Sequence, residues 1–445
     1  MAAHVTNTLP DHWKYVSEGG ATIVFSYFGP SNPQFDGTVL RLRKTLATSV
    51  EESSFVENTT DGEQDDPMLE FQHKCMERLI PVEHLPRLEP VHIDRTWLES
   101  LAALRDAERP EDRRRRDRID VTRTKGILAT DLVGGDWVAV EIKPKWAFLP
   151  NPAHLSDATR SIKMQTCRFC MHSAMKARAG DAVPLGYCPL DLFSGDETRI
   201  RTAIYGLWAA WDESKGTVNN LKIFVRGRKI TRDEASLILS SDVDAAMSTE
   251  DIREHFTAAL LPLLLDTPVL LTLSKIQRTL DPLDIEGLSH LWRLRETTSP
   301  PSTHAALGTD EPRDEPHTAA PIDVSSLVLT SPEPTTSDWI DFLDTYLSET
   351  IPQLDHTYPD LDNLRYYLLA YLLSATFKDC SIIVRLERLR PETLAQAVKP
   401  EYVTVIDLDP KAMSRLRKWE KLDHEIVTSY AAVADNRKIC IDSRG

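Results

Sequence analysis

The sequence is short of positive charge, of cysteine and of long apolar runs. Across 445 residues, 52 Lys and Arg stand against 68 Asp and Glu, a net charge of −16. That balance excludes a broad nucleic-acid-binding surface, and any polyanionic ligand then needs a local basic cluster set against the global field. Six cysteines in a chain of this length exclude a disulfide scaffold and imply a reducing compartment. Cys167-x-x-Cys170, with His172 nearby and Cys188 further on, lacks a second C-x-x-C or a His pair at finger spacing. These thiols therefore read as ordinary helix residues rather than a zinc site. The most apolar stretch, Phe256 to Leu273, is interrupted by Pro262, Asp266 and Pro268. A membrane span needs ~20 clean apolar residues, so buried helix is expected and no membrane insertion. Met1 to Pro10 is short and polar, unlike a signal peptide. No H-R-D, D-F-G or G-x-G-x-x-G string occurs, which argues against a protein kinase.

What is present centres on Val140-Glu141-Ile142-Lys143-Pro144-Lys145-Trp146-Ala147-Phe148-Leu149-Pro150. β-Branched residues lead in, and Pro144 fixes φ and removes one donor, so the stretch reads as extended. Alternation then puts Glu141, Lys143 and Lys145 on one face, a stiff array suited to a polyanion. Upstream, Trp13 to Tyr27 reads as strand, tight turn at Gly19-Gly20, strand, with Ala21 and Thr22 opening the second strand. After a turn at Asp36-Gly37, Thr38 to Arg43 reads as a further strand carrying Arg41. A hairpin over a nucleotide, followed by a strand bearing a cation, is how kinases cover ATP phosphates.

Helices are expected over Met68–Leu79, Leu98–Arg109, Ser161–Arg178, Ile200–Trp211 and Ser337–Phe377, and a strand over Gly126–Leu132. Arg168 and Lys176, eight residues apart, project from nearly the same side of their helix. Strands at Ser381–Arg385 and Tyr402–Ile406 are preceded by the turn Lys378-Asp379-Cys380 and followed by Asp407-Leu408-Asp409. If the last strand continues, Asp407 and Asp409 share a face. Lys411 and Arg415 stand at i and i+4 on one helix face, with Trp419 a turn further on. The acidic stretch Ser49–Pro67 reads as a loop insertion. Residues 297–337, rich in Pro, Thr, Ser and Asp, read as a disordered loop insertion.

The string Glu141 to Pro150 resembles the E-x-K-P-K signature of the inositol-pentakisphosphate 2-kinases. Matching pieces follow in order from about Trp13 to Val427: Glu18-Gly19-Gly20-Ala21, Arg168-Phe169-Cys170-Met171-His172 with Lys176, Pro189 to Gly195, Lys378 to Ile382, and Asp407 to Lys411. The resemblance implies an α+β, two-lobed inositol-phosphate kinase, distantly protein-kinase-like, with the active site between the lobes. Residues 1–140 would form the smaller lobe with the glycine-rich hairpin, and residues 141–445 the larger one. Plant members carry a Cys/His zinc site near the 297–337 segment. Here that segment holds His304 and His317 but no cysteine, so no zinc is expected there. In fungi the family is associated with the nucleus. Arg113 to Arg116 is the one basic run resembling an import signal, so nuclear or cytoplasmic placement is expected.

The implied reaction is ATP-dependent phosphorylation of the 2-hydroxyl of inositol 1,3,4,5,6-pentakisphosphate to the hexakisphosphate, with Mg²⁺, by a monomer. Asp379 would take or orient the hydroxyl proton, and Asp407, assisted by Asp409, would hold Mg²⁺. Gly19, Gly20, Ala21, Thr22 and Arg41 would meet ATP, with Glu141 steadying Arg41. Thr22 stands where the family has Asn. Lys143, Lys145, Arg168, Lys176, Asn219, Asn220, Lys411 and Arg415 would gather the substrate phosphates, with Trp419, where the family often has Tyr, lining the pocket. An arginine near Arg118 would also reach substrate. Arginine gives bidentate phosphate contacts, lysine a point charge. The alternative is an inositol-phosphate-binding scaffold without catalysis, which retention of both Asp379 and Asp407 disfavours.

Overall fold

The computed structural model describes residues 3–47, 63–239, 249–298, 332–349, 354–386, 402–432 and 437–443. Its architecture is α+β, built on two sheets. The first takes β1 (Ala3–His4), β2 (Trp13–Glu18), β3 (Thr22–Tyr27), β4 (Thr38–Leu46), β5 (Leu88–His92), β6 (Asp117–Ile119) and β7 (Lys125–Thr130). Their order is β1-β5-β7-β4-β3-β2, with β6 on the end of β4. All pairs are antiparallel except β1 with β5. Alternation in β3 and β4 puts Ile23, Phe25, Leu40 and Leu42 into a core with Trp13 and with Trp97 and Leu101 of the helix Arg95–Arg105. The opposite face carries Val24, Val39, Ile127 and Ala129, and this period-2 division leaves Arg41 on that second side.

The second sheet takes β8 (Val138–Ile142), β9 (Leu221–Val225), β10 (Arg228–Lys229), β11 (Ser381–Leu386) and β12 (Val403–Ile406), in the order β10-β9-β8-β11-β12, all antiparallel. β8 is central and every residue in it is buried. Helices Glu197–Glu213, Thr249–Asp266, Val269–Thr279 and Leu364–Asp379 cover this sheet around Trp211, Phe256, Leu273, Leu372 and Phe377. The apolar run is split into two helices whose Phe256, Leu260, Leu264, Leu270 and Leu273 lie in that core. No single described helix is long and apolar enough to cross a membrane, although the bent pair formed here, with an angle of 59°, passes that test on length and composition.

Several expected boundaries shift. β8 stops at Ile142 and Lys145 takes φ 68°, so the Glu141–Lys143–Lys145 alternation breaks after one step. Pro144 cannot donate to a ladder, and the chain leaves the sheet there. The expected helix over Ser161–Arg178 is two, Asp157–Lys163 and Arg168–Arg178, separated where Cys167 caps the second. The expected helix over Ser337–Phe377 is also two, Thr336–Tyr346 and Leu364–Asp379. Asp379 is therefore the last residue of a helix, not a turn residue. β12 ends at Ile406, and Asp407 takes φ 62°, so Asp407 and Asp409 are not alternate residues of one strand. Lys411 precedes a single turn at Met413–Arg415, and the helix begins only at Leu416, so Lys411 and Arg415 do not share a helix face. Positions 48–62 of the acidic stretch and 299–331 of the Pro/Thr/Ser-rich one lie outside the described residues. Thr297 and Thr298 end the helix Asp284–Thr298, and Thr336 opens the next.

Candidate active site

A cleft of about 890 Å³ lies where the two sheets face each other. The first sheet contributes Gly19, Gly20, Ala21 and Thr22 from the β2–β3 turn and Arg41 from β4. The second contributes Glu141 and Lys143 at the end of β8, with Asp379, Asp407, Asp409 and Lys411. The hairpin closes with Gly19 N–H donating to Thr22 C=O at 2.9 Å. Neither Gly19 nor Gly20 needs a positive φ, and a Cβ at either would meet nothing within 4 Å. What the glycines supply is open space for a ligand, not an unusual backbone.

The catalytic candidates sit in a ring of opposite charges. Lys145 Nζ lies 3.1 Å from one oxygen of Asp379 and Lys411 Nζ 2.9 Å from the other. Lys143 Nζ contacts Asp407 Oδ2 at 3.1 Å and Ser381 Oγ at 2.8 Å. Burial raises the Asp379 carboxyl, but the two ammonium groups outweigh it and hold it at about 2. For Lys143, burial lowers the pKa, and Asp407, Glu141 and Asp379 together bring it above the usual lysine value. Desolvation chiefly raises Asp409, with Arg41 acting against it and Asp407 adding to it. Lys145 and Asp407 are two of five described non-glycine residues with positive φ. Such geometry costs about 1–3 kcal/mol and persists where the surroundings impose it, most often at functional sites.

Arg41 Nε is buried without a hydrogen-bond partner among the described residues. An unmet guanidinium donor facing a cleft fits an anionic ligand, as the phosphates of a nucleotide would be. Glu141 does not steady Arg41. It accepts both contacts of Lys222 Nζ at 2.9 Å and one from Ser381 Oγ at 3.1 Å. The β8–β9 register sets Lys222 directly across from Glu141, and a cross-strand ion pair satisfies both.

Beyond Lys145 stands a second basic group. Arg168 opens the helix Arg168–Arg178, donates Nε to Asp423 at 2.9 Å, and lies over the Trp146 ring at 4.9 Å. One turn on, His172 is pushed down to about 4, first by burial and then by Lys176, Arg168 and Lys145. Those three cations thus act on one point. The support beneath is a buried cluster in which Lys163 Nζ contacts Asp284 at 2.6 Å and Asp423 at 2.8 Å.

Four expected residues stand apart from the charge ring. Asn219 is exposed and Asn220 buried. Asn220 accepts from Lys143 N–H at 3.0 Å and donates Nδ2 to Lys143 C=O at 3.2 Å, so it holds the Lys143 backbone. Arg415 is exposed, and Trp419 packs on the core with its ring 6.0 Å from that of Tyr371. In the basic run it is Arg113, not Arg118, that lines the cleft, donating to Gly19 C=O at 3.4 Å. Arg118 lies in β6, the strand paired with β4. Sequence reasoning missed Ser381, Lys222 and His172 as site residues. Ser381 and His172 lie inside motifs already singled out, while Lys222 carries a signal only once the strand register is known.

A glycine hairpin with an unmet arginine, facing three aspartates ringed by lysines, defines a phosphotransferase built for a highly anionic substrate. The family model for inositol-pentakisphosphate 2-kinase matches residues 15–425. An inositol-pentakisphosphate 2-kinase of Cryptococcus neoformans is 34% identical over 431 residues, covering 94% of this chain and 93% of the relative. The Arabidopsis thaliana protein of that name is 25% identical over 470 residues, with the same shares. A zebrafish, Danio rerio, relative of that name is 32% identical over 231 residues, 49% of this chain and 44% of its own. The chain belongs to the inositol-pentakisphosphate 2-kinase family.

Proposed function

We propose that this protein transfers the γ-phosphoryl group of ATP to the 2-hydroxyl of inositol 1,3,4,5,6-pentakisphosphate, giving the hexakisphosphate. The observation that carries the reading is the Lys145–Asp379–Lys411 cluster, in which the candidate base is held by the cations assigned to substrate. The substrate oxygen attacks the γ-phosphorus, the bond to the bridging oxygen of ADP breaks, and the hydroxyl proton passes to Asp379. At a pKa of about 2 Asp379 is a weak base. Phosphates that draw Lys145 and Lys411 away raise that pKa toward the ordinary carboxylate range, so substrate arrival itself activates the base.

Arg41, Gly19, Gly20, Ala21 and Thr22 take the nucleotide. Lys143, Lys145, Arg168, Lys176 and Lys411 take the inositol phosphates, with Asn219, Asn220, Arg415 and Trp419 as outlying candidates. Asp407 and Asp409 would hold Mg²⁺, whose charge would neutralise the ATP phosphates. The donor set fits that ion: both are carboxylates, and the Asp407 side chain is half-exposed. This reading has two lobes, residues 1–140 and 141–445, in a monomer. The glycine hairpin and the strand cation Arg41 support a distant likeness to protein kinases. Purified protein with Mg-ATP and inositol 1,3,4,5,6-pentakisphosphate should form hexakisphosphate, and Asp379→Ala should not. A wild-type protein that binds the ligand and makes no product would establish the scaffold alternative.

A further inference from the structure

Lys145 lies beyond the end of β8, and Asp379 ends the helix Leu364–Asp379. The β8–β11 ladder stops at the pair Ile142 and Ile382, short of both residues. Their side chains nevertheless meet at 3.1 Å. One buried side chain bridges the two main chains. Gln277, in the helix Val269–Thr279, is fully buried. Its Nε2 donates to Lys145 C=O and to Phe377 C=O, each at 3.0 Å, and its Oε1 accepts from Ala147 N–H at 2.9 Å. Turned over, the amide would set its oxygen against two carbonyls, so the surroundings fit one orientation only. Ser374 Oγ donates to Gln277 C=O at 2.8 Å, joining the two helices about one turn before Phe377.

Each bond answers a need of the main chain. Phe377 is among the last four residues of its helix, whose carbonyls have no intrahelical partner. Ala147 belongs to no helix or strand, so its buried N–H has no ladder to join. Lys145 has φ 68°, a geometry that persists only where the surroundings impose it. A second tie runs alongside: Lys378 Nζ lies 4.0 Å from the centre of the Trp146 ring. It joins the residue after Lys145 to the residue before Asp379.

We propose that Gln277 is a positioning residue for phosphoryl transfer: it holds the main chain beside Lys145 and beside Asp379 in one frame, and so sets the substrate cation against the base. The inference rests on the function proposed above. Gln277 does not line the cleft and touches no reacting group. Its contribution is geometric, and chemistry is steep in geometry: a misplacement of about 1 Å can cost about a hundredfold. Arg41 and the glycine hairpin stand on the other sheet, away from this clamp.

The test compares Gln277→Glu and Gln277→Met with Ser374→Ala, all assayed well below their melting temperatures. Gln277→Glu keeps the acceptor for Ala147 N–H and turns an oxygen toward the two carbonyls. Gln277→Met keeps the length and removes all three bonds. In both, kcat should fall roughly ten- to a hundredfold with KM for ATP unchanged. Ser374→Ala loses a bond of the same helix contact and should lower stability without changing kcat. In a Lys145→Met background, the further loss from Gln277→Met should be smaller than in the wild type, since the pair it positions is already broken. Gln277 variants with wild-type kcat, or losses that multiply in the double variant, overturn the proposal. Hydrogen exchange on the wild type needs no variant to fold. Ala147 N–H should exchange as slowly as the amides of β8, and loop-like exchange there overturns the clamp. Wild-type protein that makes no hexakisphosphate sinks the kinase reading instead, and the Ala147 exchange then still judges the clamp by itself.

Discussion

Asp379→Asn separates the two jobs given to this side chain. In the free protein Asp379 neutralises Lys145 and Lys411 at 3.1 and 2.9 Å. Its side chain is 53% exposed, so each pair falls in the range of surface ion pairs, about 0.2–1 kcal/mol. Asparagine keeps the shape and removes the charge. Both lysines then meet the substrate phosphates without first breaking an ion pair. Inositol pentakisphosphate should therefore bind roughly two- to thirtyfold more tightly, the equivalent of two such pairs. Asparagine cannot accept the hydroxyl proton, so kcat should fall by about 10²–10⁴. Titration calorimetry without nucleotide measures the first effect and steady-state kinetics the second. Binding weakened tenfold or more would mean that Asp379 anchors the substrate or its lysines rather than competing with it. Unchanged kcat would remove it from proton transfer, and either result sinks the ion-exchange argument.

Other consequences can be checked separately. Arg41→Ala should raise KM for ATP roughly tenfold to a hundredfold with the inositol substrate saturating, since one charged donor bond is lost; an unchanged KM would place Arg41 off the nucleotide. His172, at about 4 in the free protein, should rise when a polyanion arrives. Binding then takes up protons and strengthens as pH falls from the bound pKa toward about 4, and calorimetry in buffers of different ionisation enthalpy should show more uptake for wild type than for His172→Asn. The same depressed pKa makes the fold lose stability as pH drops from about 6.5 toward 4, because the unfolded chain binds that proton first. Lys163→Met should destabilise the protein by about 3–5 kcal/mol by leaving Asp284 buried without its cation and Asp423 with Arg168 alone, read as a large fall in melting temperature.

Much of the site is legible in the sequence alone. Glu141, Lys143, Asp379 and Asp407 stand in short, dense strings whose residue types already state their chemistry. Their strands were legible too, because β3, β4, β11 and β12 carry the alternation or the apolar run that strands require. Less legible was anything that depends on how a segment ends. Ile142 was not visibly the last residue of its strand, and Lys145 was not visibly left-handed. The split at Cys167 needed the observed cap, since both flanking segments are helical in composition.

Local residue order determined which groups this protein has: a glycine hairpin followed by a strand cation, paired carboxylates after helix and strand, lysines beside a proline. Tertiary structure alone decided who meets whom. It set Lys145 against Asp379 across 234 residues and Lys143 against Asp407 across 264. It gave Glu141 to Lys222 instead of Arg41, chose Arg113 over Arg118, and carried Cys440 to Cys167, Cys170 and Cys188. The reason is that short-range propensity acts over a few residues, whereas ion pairs and other side-chain contacts form wherever sheet register and positive-φ turns aim side chains, and those are fixed by packing of the whole chain.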